Sequence, residues 1–193
     1  MIKKDILLNG VVVGSHMATG DHAKDAAEVQ AILKEKGLYK ETSTNDLMYS
    51  QANGFAEVAI NIYNNGLKES PFKGGGTAPF VVNATFSIEL YIKTIHDAYG
   101  NKIRGHHLSS LYKGMPKKGK VFFLQAAKDV RSLYNLEDGM DIFSCLESLS
   151  KSFEQWRYIY EHNGIGTELQ SIRYTMHVAH EACCRVRESL VKT

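Results

Sequence analysis

The sequence predicts an all-α protein, an up-and-down antiparallel helical bundle with a short N-terminal β-ribbon. Three observations predict it. Apolar residues recur with a helical period from about residue 22 onward, the breaks between the periodic segments are short and polar or glycine-containing, and strand-like runs are confined to the first residues. At 193 residues, with 44% hydrophobic and 23% charged residues and three prolines, the chain can bury one core. A division into an extension over 1–20 and a helical domain over 21–193 is expected, and the composition excludes disordered and collagen-like classes. Even the most apolar stretch is interrupted by Asn83, Glu89 and Lys93, so no membrane partner is expected. The basic start is followed by an apolar run too short for a signal peptide, which makes a cytoplasmic location the expectation. A formal net charge of +2 neither demands nor forbids a nucleic-acid partner, so any anion site has to be local.

Taken in order, Ile6-Leu7-Leu8 and Val11-Val12-Val13 flank Asn9-Gly10, the turn dipeptide of a two-residue hairpin. A first helix over about 22–36 stops at Lys36-Gly37, and a second over about 45–66 stops at Asn64-Asn65-Gly66. The loop Ser70 to Gly76 leads to Thr77 as an N-cap, with Pro79 in the first turn of a helix over about 78–99. No Gly-Lys-Ser/Thr follows the three glycines, so they read as a loop and not as a phosphate cradle. The helix over 78–99 is apolar around most of its circumference and belongs mid-bundle. A short helix near 106–112, a basic turn from Lys113 to Lys120 and a helix over about 120–134 come next. Ile142, Leu146, Leu149, Phe153, Trp156 and Tyr160 then recur at steps of four and three, a heptad seam on a helix over about 139–162. Asn163-Gly164 caps it, and a last helix over about 166–190 returns antiparallel.

Several groups could carry chemistry. Glu89 and Lys93 are spaced for an ion pair along a helix, and with Asn83 and Ser87 they form either an exposed stripe or a paired polar cluster. Arg157 and His162 flank the end of the seam helix. Within a continuous helix they point about 140° apart, whereas a chain reversing at Asn163-Gly164 can return the imidazole over the last turn. An arginine that grips phosphate and a histidine that exchanges a proton near neutral pH are the two parts of metal-independent RNA cleavage. Six arginines and eight histidines give roughly 0.75 chance matches to Arg-x4–6-His, and the chain has two. The second, Arg173 and His180, lies in mid-helix and reads as a helix surface, so the helix-end pair is preferred. His177 and His180 lack the companions of a metal site, and no metal or other cofactor is expected. Arg104, His106 and His107, with Lys117 and Lys118, make a basic stretch that reads as a solvated turn or as a contact to a nucleic-acid backbone. Cys145, Cys183 and Cys184 lack zinc-site spacing and read as reduced structural thiols.

The string Pro79 to Lys93, containing Ser-Ile-Glu-Leu-Tyr-Ile-Lys, followed by Gly105-His106-His107-Leu108 and by Phe153 to Glu161, resembles the core of HEPN-domain proteins over about residues 45–190. The resemblance implies a helical bundle that commonly forms a homodimer, with the Arg-x4–6-His motifs of two subunits in one basic cleft. It implies RNA as partner and an endoribonuclease of toxin–antitoxin, phage-defence or RNA-processing type, with an antitoxin or other protein as a second partner. Carried over by position, Arg157 would stabilise the scissile phosphate and His162 would act as general acid or base. Attack by the ribose 2′-hydroxyl would leave a 2′,3′-cyclic phosphate and a 5′-hydroxyl. Asn83, Glu89, Lys93, Tyr158, Arg104, His106, His107, Lys117 and Lys118 would bind substrate or support the cleft. Tyr158 departs from the polar residue that often follows the arginine in active members. The alternative is a non-catalytic HEPN-like module that binds a protein, a nucleotide or a nucleic acid through the same groove.

Overall fold

The computed structural model describes residues 2–68, 71, 73–150, 155–156 and 168–191. The chain is mostly helical with one small antiparallel sheet and divides into two compact units, Met1–Ser43 and Thr44–Thr193. The first helix lies in the same unit as the ribbon.

In the first unit, β1 (Ile2–Leu8) pairs with β2 (Val11–Ala18). Both strands are longer than the two short runs predicted. Asn9 and Gly10 have φ of 50° and 81°, the left-handed pair that a tight hairpin turn requires. The register slips between Ile6 and Leu7, which lets strands of seven and eight residues pair across one two-residue turn. Helix α1 (His22–Glu35) starts at Asp21, whose carboxylate accepts from the Ala23 and Lys24 amides. Gly14 is a point of close approach, since a Cβ there would lie 3.4 Å from Ile32 on α1.

The second unit holds the main core. Helix α2 (Thr44–Ile62) runs into a π turn over Tyr63–Leu67, where the Lys68 amide donates to the Tyr63 carbonyl. A 3₁₀ turn at Gly74–Gly76 leads into α3 (Thr77–Ala98). Thr77 is already helical and Gly76 occupies the cap position without a side-chain bond, so the predicted threonine cap is not formed. The loop is instead tied down by backbone hydrogen bonds from Lys73 to Gly66 and from Gly76 to Lys73.

Helix α3 is buried on nearly every side, with Phe80, Val81, Ala84, Ile88, Tyr91, Ile92 and Ile95 in the core. It packs on α2 and on α7 (Leu169–Val191), the final helix. Helix α4 (Leu108–Gly114) follows, and α5 (Lys117–Val130) lies against α7 before a 3₁₀ turn at Arg131–Leu133. At Gly119 the backbone of α5 comes so close to α3 that a Cβ would sit 2.8 Å from Ile95. Fully buried His96 joins α3 to α4: Nε2 donates to the Leu111 carbonyl and Nδ1 accepts from the Asn101 amide, both at 2.9 Å. Burial holds the pKa of this imidazole below the usual histidine value.

Helix α6 (Ile142–Leu149) begins where Asp141 accepts from the Ser144 amide. It buries Ile142, Leu146 and Leu149, the first half of the predicted seam, together with Cys145, and Trp156 further along is also buried. The remaining seam residues Phe153 and Tyr160, the candidates Arg157, Tyr158 and His162, and the cap Asn163-Gly164 lie outside the described residues. Among the described residues no helix is long and apolar enough to cross a membrane.

Candidate functional site

Asn83, Ser87, Glu89 and Lys93 of α3 find their partners within the protein. Glu89 is 3% exposed, and its carboxylate accepts from Lys93 Nζ at 2.8 Å and lies 3.0 Å from His106 Nδ1. Ser87 is buried and donates to the Ala84 carbonyl, while Asn83 donates to the Pro79 carbonyl. The exposed-stripe reading is therefore corrected, because Ser87 and Glu89 are inside the protein and Glu89 is neutralised by partners reaching in from the surface. His106 is largely solvent-exposed, and its contact with Glu89 ties the loop before α4 to the centre of α3.

The basic stretch lies beside this cluster in the chain. Arg104 and His107 are exposed, His107 as the residue that precedes α4. Lys117 and Lys118 open α5 on the solvent side, where they add to the positive end of the helix dipole. Lys120 instead donates to the Lys113 carbonyl, and Lys113 lies over the Phe143 ring. The structure thus brings Glu89, Lys93 and His106 together and leaves Arg104, His107, Lys117 and Lys118 on the surface.

A second constellation, which the sequence reading set aside as helix surface, lines a cavity of about 540 Å³ between α2 and α7. The two helices run antiparallel, with Asn45 against Arg187 at one end and Tyr63 against Gln170 at the other. Asn53, Glu57, Tyr63, Tyr91, Tyr134, Arg173, His177 and His180 all reach the cavity wall. The Arg173 guanidinium lies 4.2 Å from the Tyr63 ring centroid and 5.5 Å from that of Tyr134, and donates to the Gln170 side chain. No carboxylate pairs with it among the described residues. Cation–π contact with two rings holds the guanidinium in place, with donors left for an incoming anion.

His177 stands one helical turn from Arg173, the i,i+4 spacing that makes neighbours on a helix surface. Its Nδ1 is 3.1 Å from the Tyr134 hydroxyl, which fixes the ring. Burial, against the opposing charge of Glu181 and with smaller contributions from His180 and Arg173, holds its pKa below the usual histidine value, so the neutral imidazole is favoured at pH 7. His180 lies a further turn along, stacked on Tyr49 with ring centroids 6.4 Å apart, and its Nε2 is 3.5 Å from Cys184 Sγ. Burial pushes the neighbouring Cys183 thiol up to about 12, consistent with an inert structural thiol. Among the described residues no group of three or more His, Cys, Asp or Glu side chains is placed to hold a metal ion.

The Arg173–His180 spacing was visible in the sequence. What was not visible was that α2 stands off from α7 here and presents tyrosines, an asparagine and a glutamate to the same space. Comparison with protein-family models, with curated proteins and with solved structures finds no match to the chain.

Proposed function

We propose that the helical unit is a HEPN-like RNA-binding domain and a metal-independent endoribonuclease that works through the α2–α7 cavity. The observation that carries the reading is Arg173, set over two tyrosine rings with no carboxylate partner among the described residues, one turn from a half-buried histidine whose neutral form is favoured. A phosphodiester seated on Arg173 places its negative charge against the guanidinium, and the surrounding tyrosines offer faces for a base to stack on. His177 then accepts the proton of the ribose 2′-hydroxyl. The 2′-oxygen bonds to phosphorus as the bond to the 5′-oxygen breaks, and water at the cavity mouth returns a proton to the leaving oxygen. The products are a 2′,3′-cyclic phosphate and a 5′-hydroxyl. The exposed Lys117 and Lys118 and the Arg104–His107 loop contribute backbone contacts independent of sequence.

The resemblance in the α3 string supports the HEPN-like reading, and with it a homodimer and a protein partner of antitoxin type. Arg157 and His162 offer the same pair of residue types and form the competing active pair. The test is incubation of the protein with a mixed RNA pool in EDTA, with the product ends analysed, beside Arg173→Ala, His177→Ala, Arg157→Ala and His162→Ala. Cyclic phosphates from wild type that vanish in the Arg173 and His177 variants support the cavity as the active site. Loss confined to the Arg157 and His162 variants moves catalysis to the end of the seam helix. RNA binding without cleavage by any of the proteins supports the non-catalytic module.

A further inference from the structure

Resting on the reading of the α2–α7 cavity as a nucleotide site, we infer that it selects guanosine, with Asn53 and Glu57 reading the Watson–Crick edge of the base. The two residues are spaced i,i+4 on α2 and both line the cavity, so they form one polar strip beside the aliphatic Ala56 and Ile60 of the same helix. The Asn53 amide is not free to turn. The Tyr91 hydroxyl donates to its Oδ1 at 2.7 Å, and the amide nitrogen, one of whose two hydrogens is engaged by the Tyr49 hydroxyl, keeps one N–H to donate. Burial pushes the Tyr91 phenol above its ordinary range, which keeps it protonated and in that donor role.

Glu57, one turn on, has no hydrogen bond or ion pair to any described residue and presents two acceptor oxygens. The strip therefore reads donor, then acceptors. Guanine is the complement, because it offers the O6 acceptor and, beside it, the N1–H and N2–H donors. Adenine places the N1 lone pair against the carboxylate, and uracil and cytosine each leave an acceptor facing Glu57.

The length of the site agrees. Tyr63, the ring that carries Arg173, comes six positions after Glu57, just past the end of α2, and at the rise of an α-helix this is about 9 Å. One extended nucleotide spans a comparable distance from the reading edge of its base to its phosphate. A cavity of about 540 Å³ gives room for one such unit.

The experiment is calorimetric titration of the protein with the 3′-monophosphates of guanosine, inosine, adenosine, cytidine and uridine. Guanosine monophosphate is expected to bind about tenfold or more tightly than the adenosine, cytidine and uridine compounds. Inosine monophosphate, lacking the N2 amino group, should fall between. Glu57→Gln should remove most of the preference, by weakening guanosine monophosphate and relieving the repulsion of adenosine monophosphate, with the melting temperature unchanged, and Arg173→Ala should weaken every nucleotide alike. Equal affinity for all five compounds, or a preference untouched in Glu57→Gln, overturns the guanosine assignment and leaves the phosphate site standing. Failure of every nucleotide to bind overturns the assignment and the nucleotide reading of the cavity together.

Discussion

Two polar constellations lie on neighbouring helices of the same unit and handle their charges in opposite ways. At Glu89 a buried carboxylate is met by Lys93 and His106, so its acceptors are used within the protein. At Arg173 a cation is held by ring faces and one amide oxygen, which orient it, and no carboxylate among the described residues compensates its charge. The first arrangement spends its polarity on joining a loop to the central helix. The second keeps charge and proton-accepting capacity available to a ligand. Polar residues within an apolar pattern are therefore told apart by whether partners from other elements close their hydrogen bonds, which spacing along one helix does not reveal.

The contrast is broken most severely at Glu89. Glu89→Ala leaves Lys93 without its counter-charge and releases the His106 loop, and it should cost about 3 kcal/mol, the low end of the buried-pair range, because both partners reach solvent. Urea unfolding checks this, and nucleotide affinity of the folded fraction should be unchanged. Arg173→Ala should show the reverse pattern: a loss of about 1 kcal/mol or less in stability, from the two ring contacts, with about a tenfold or greater loss of RNA affinity. Arg173→Lys should not restore binding, since an ammonium neither lies flat between the rings nor presents a forked donor.

Protonation sharpens the contrast further. His96 and His177 both have pKa values lowered by burial, so below about pH 6.5 the unfolded chain binds protons that the native protein refuses. Their contribution to stability is full at neutral pH and above. It falls as the pH drops from the ordinary histidine value toward the lowered native values, which denaturant midpoints between pH 7.5 and 5 should show. Cleavage by wild type should persist to lower pH than an unperturbed imidazole base allows, because His177 stays neutral there. The smallest effect is expected at Lys117→Ala with Lys118→Ala, where RNA binding should lose salt dependence while mononucleotide binding and stability stay unchanged.

The fold class was legible in the sequence because its signals are local. The Asn9-Gly10 turn, the stop at Gly37 and the apolar circumference of α3 each depend on a few consecutive residues, and each is present. The Glu89–Lys93 pair was legible from i,i+4 spacing, but its burial and its link to His106, 17 residues on, are tertiary facts. Thr77 failed as a cap because the preceding glycines already turn in a 3₁₀ helix, which satisfies the backbone differently. The cavity was the least legible feature. Arg173, His177 and His180 share one helix face in the sequence, yet their meaning comes from Tyr63, Tyr91, Tyr134, Asn53 and Glu57, which other segments bring to them.

The central claim is that Arg173 stands ready for a phosphate that the protein itself does not supply. Its most direct measurement is the affinity of wild type and of Arg173→Ala for a short all-2′-deoxy oligonucleotide, which lacks the attacking hydroxyl and cannot be consumed, at one fixed salt concentration. Wild type should bind with the variant at least about tenfold weaker at equal stability. Equal binding by the two proteins would contradict the account and return Arg173 to a structural role between two tyrosines.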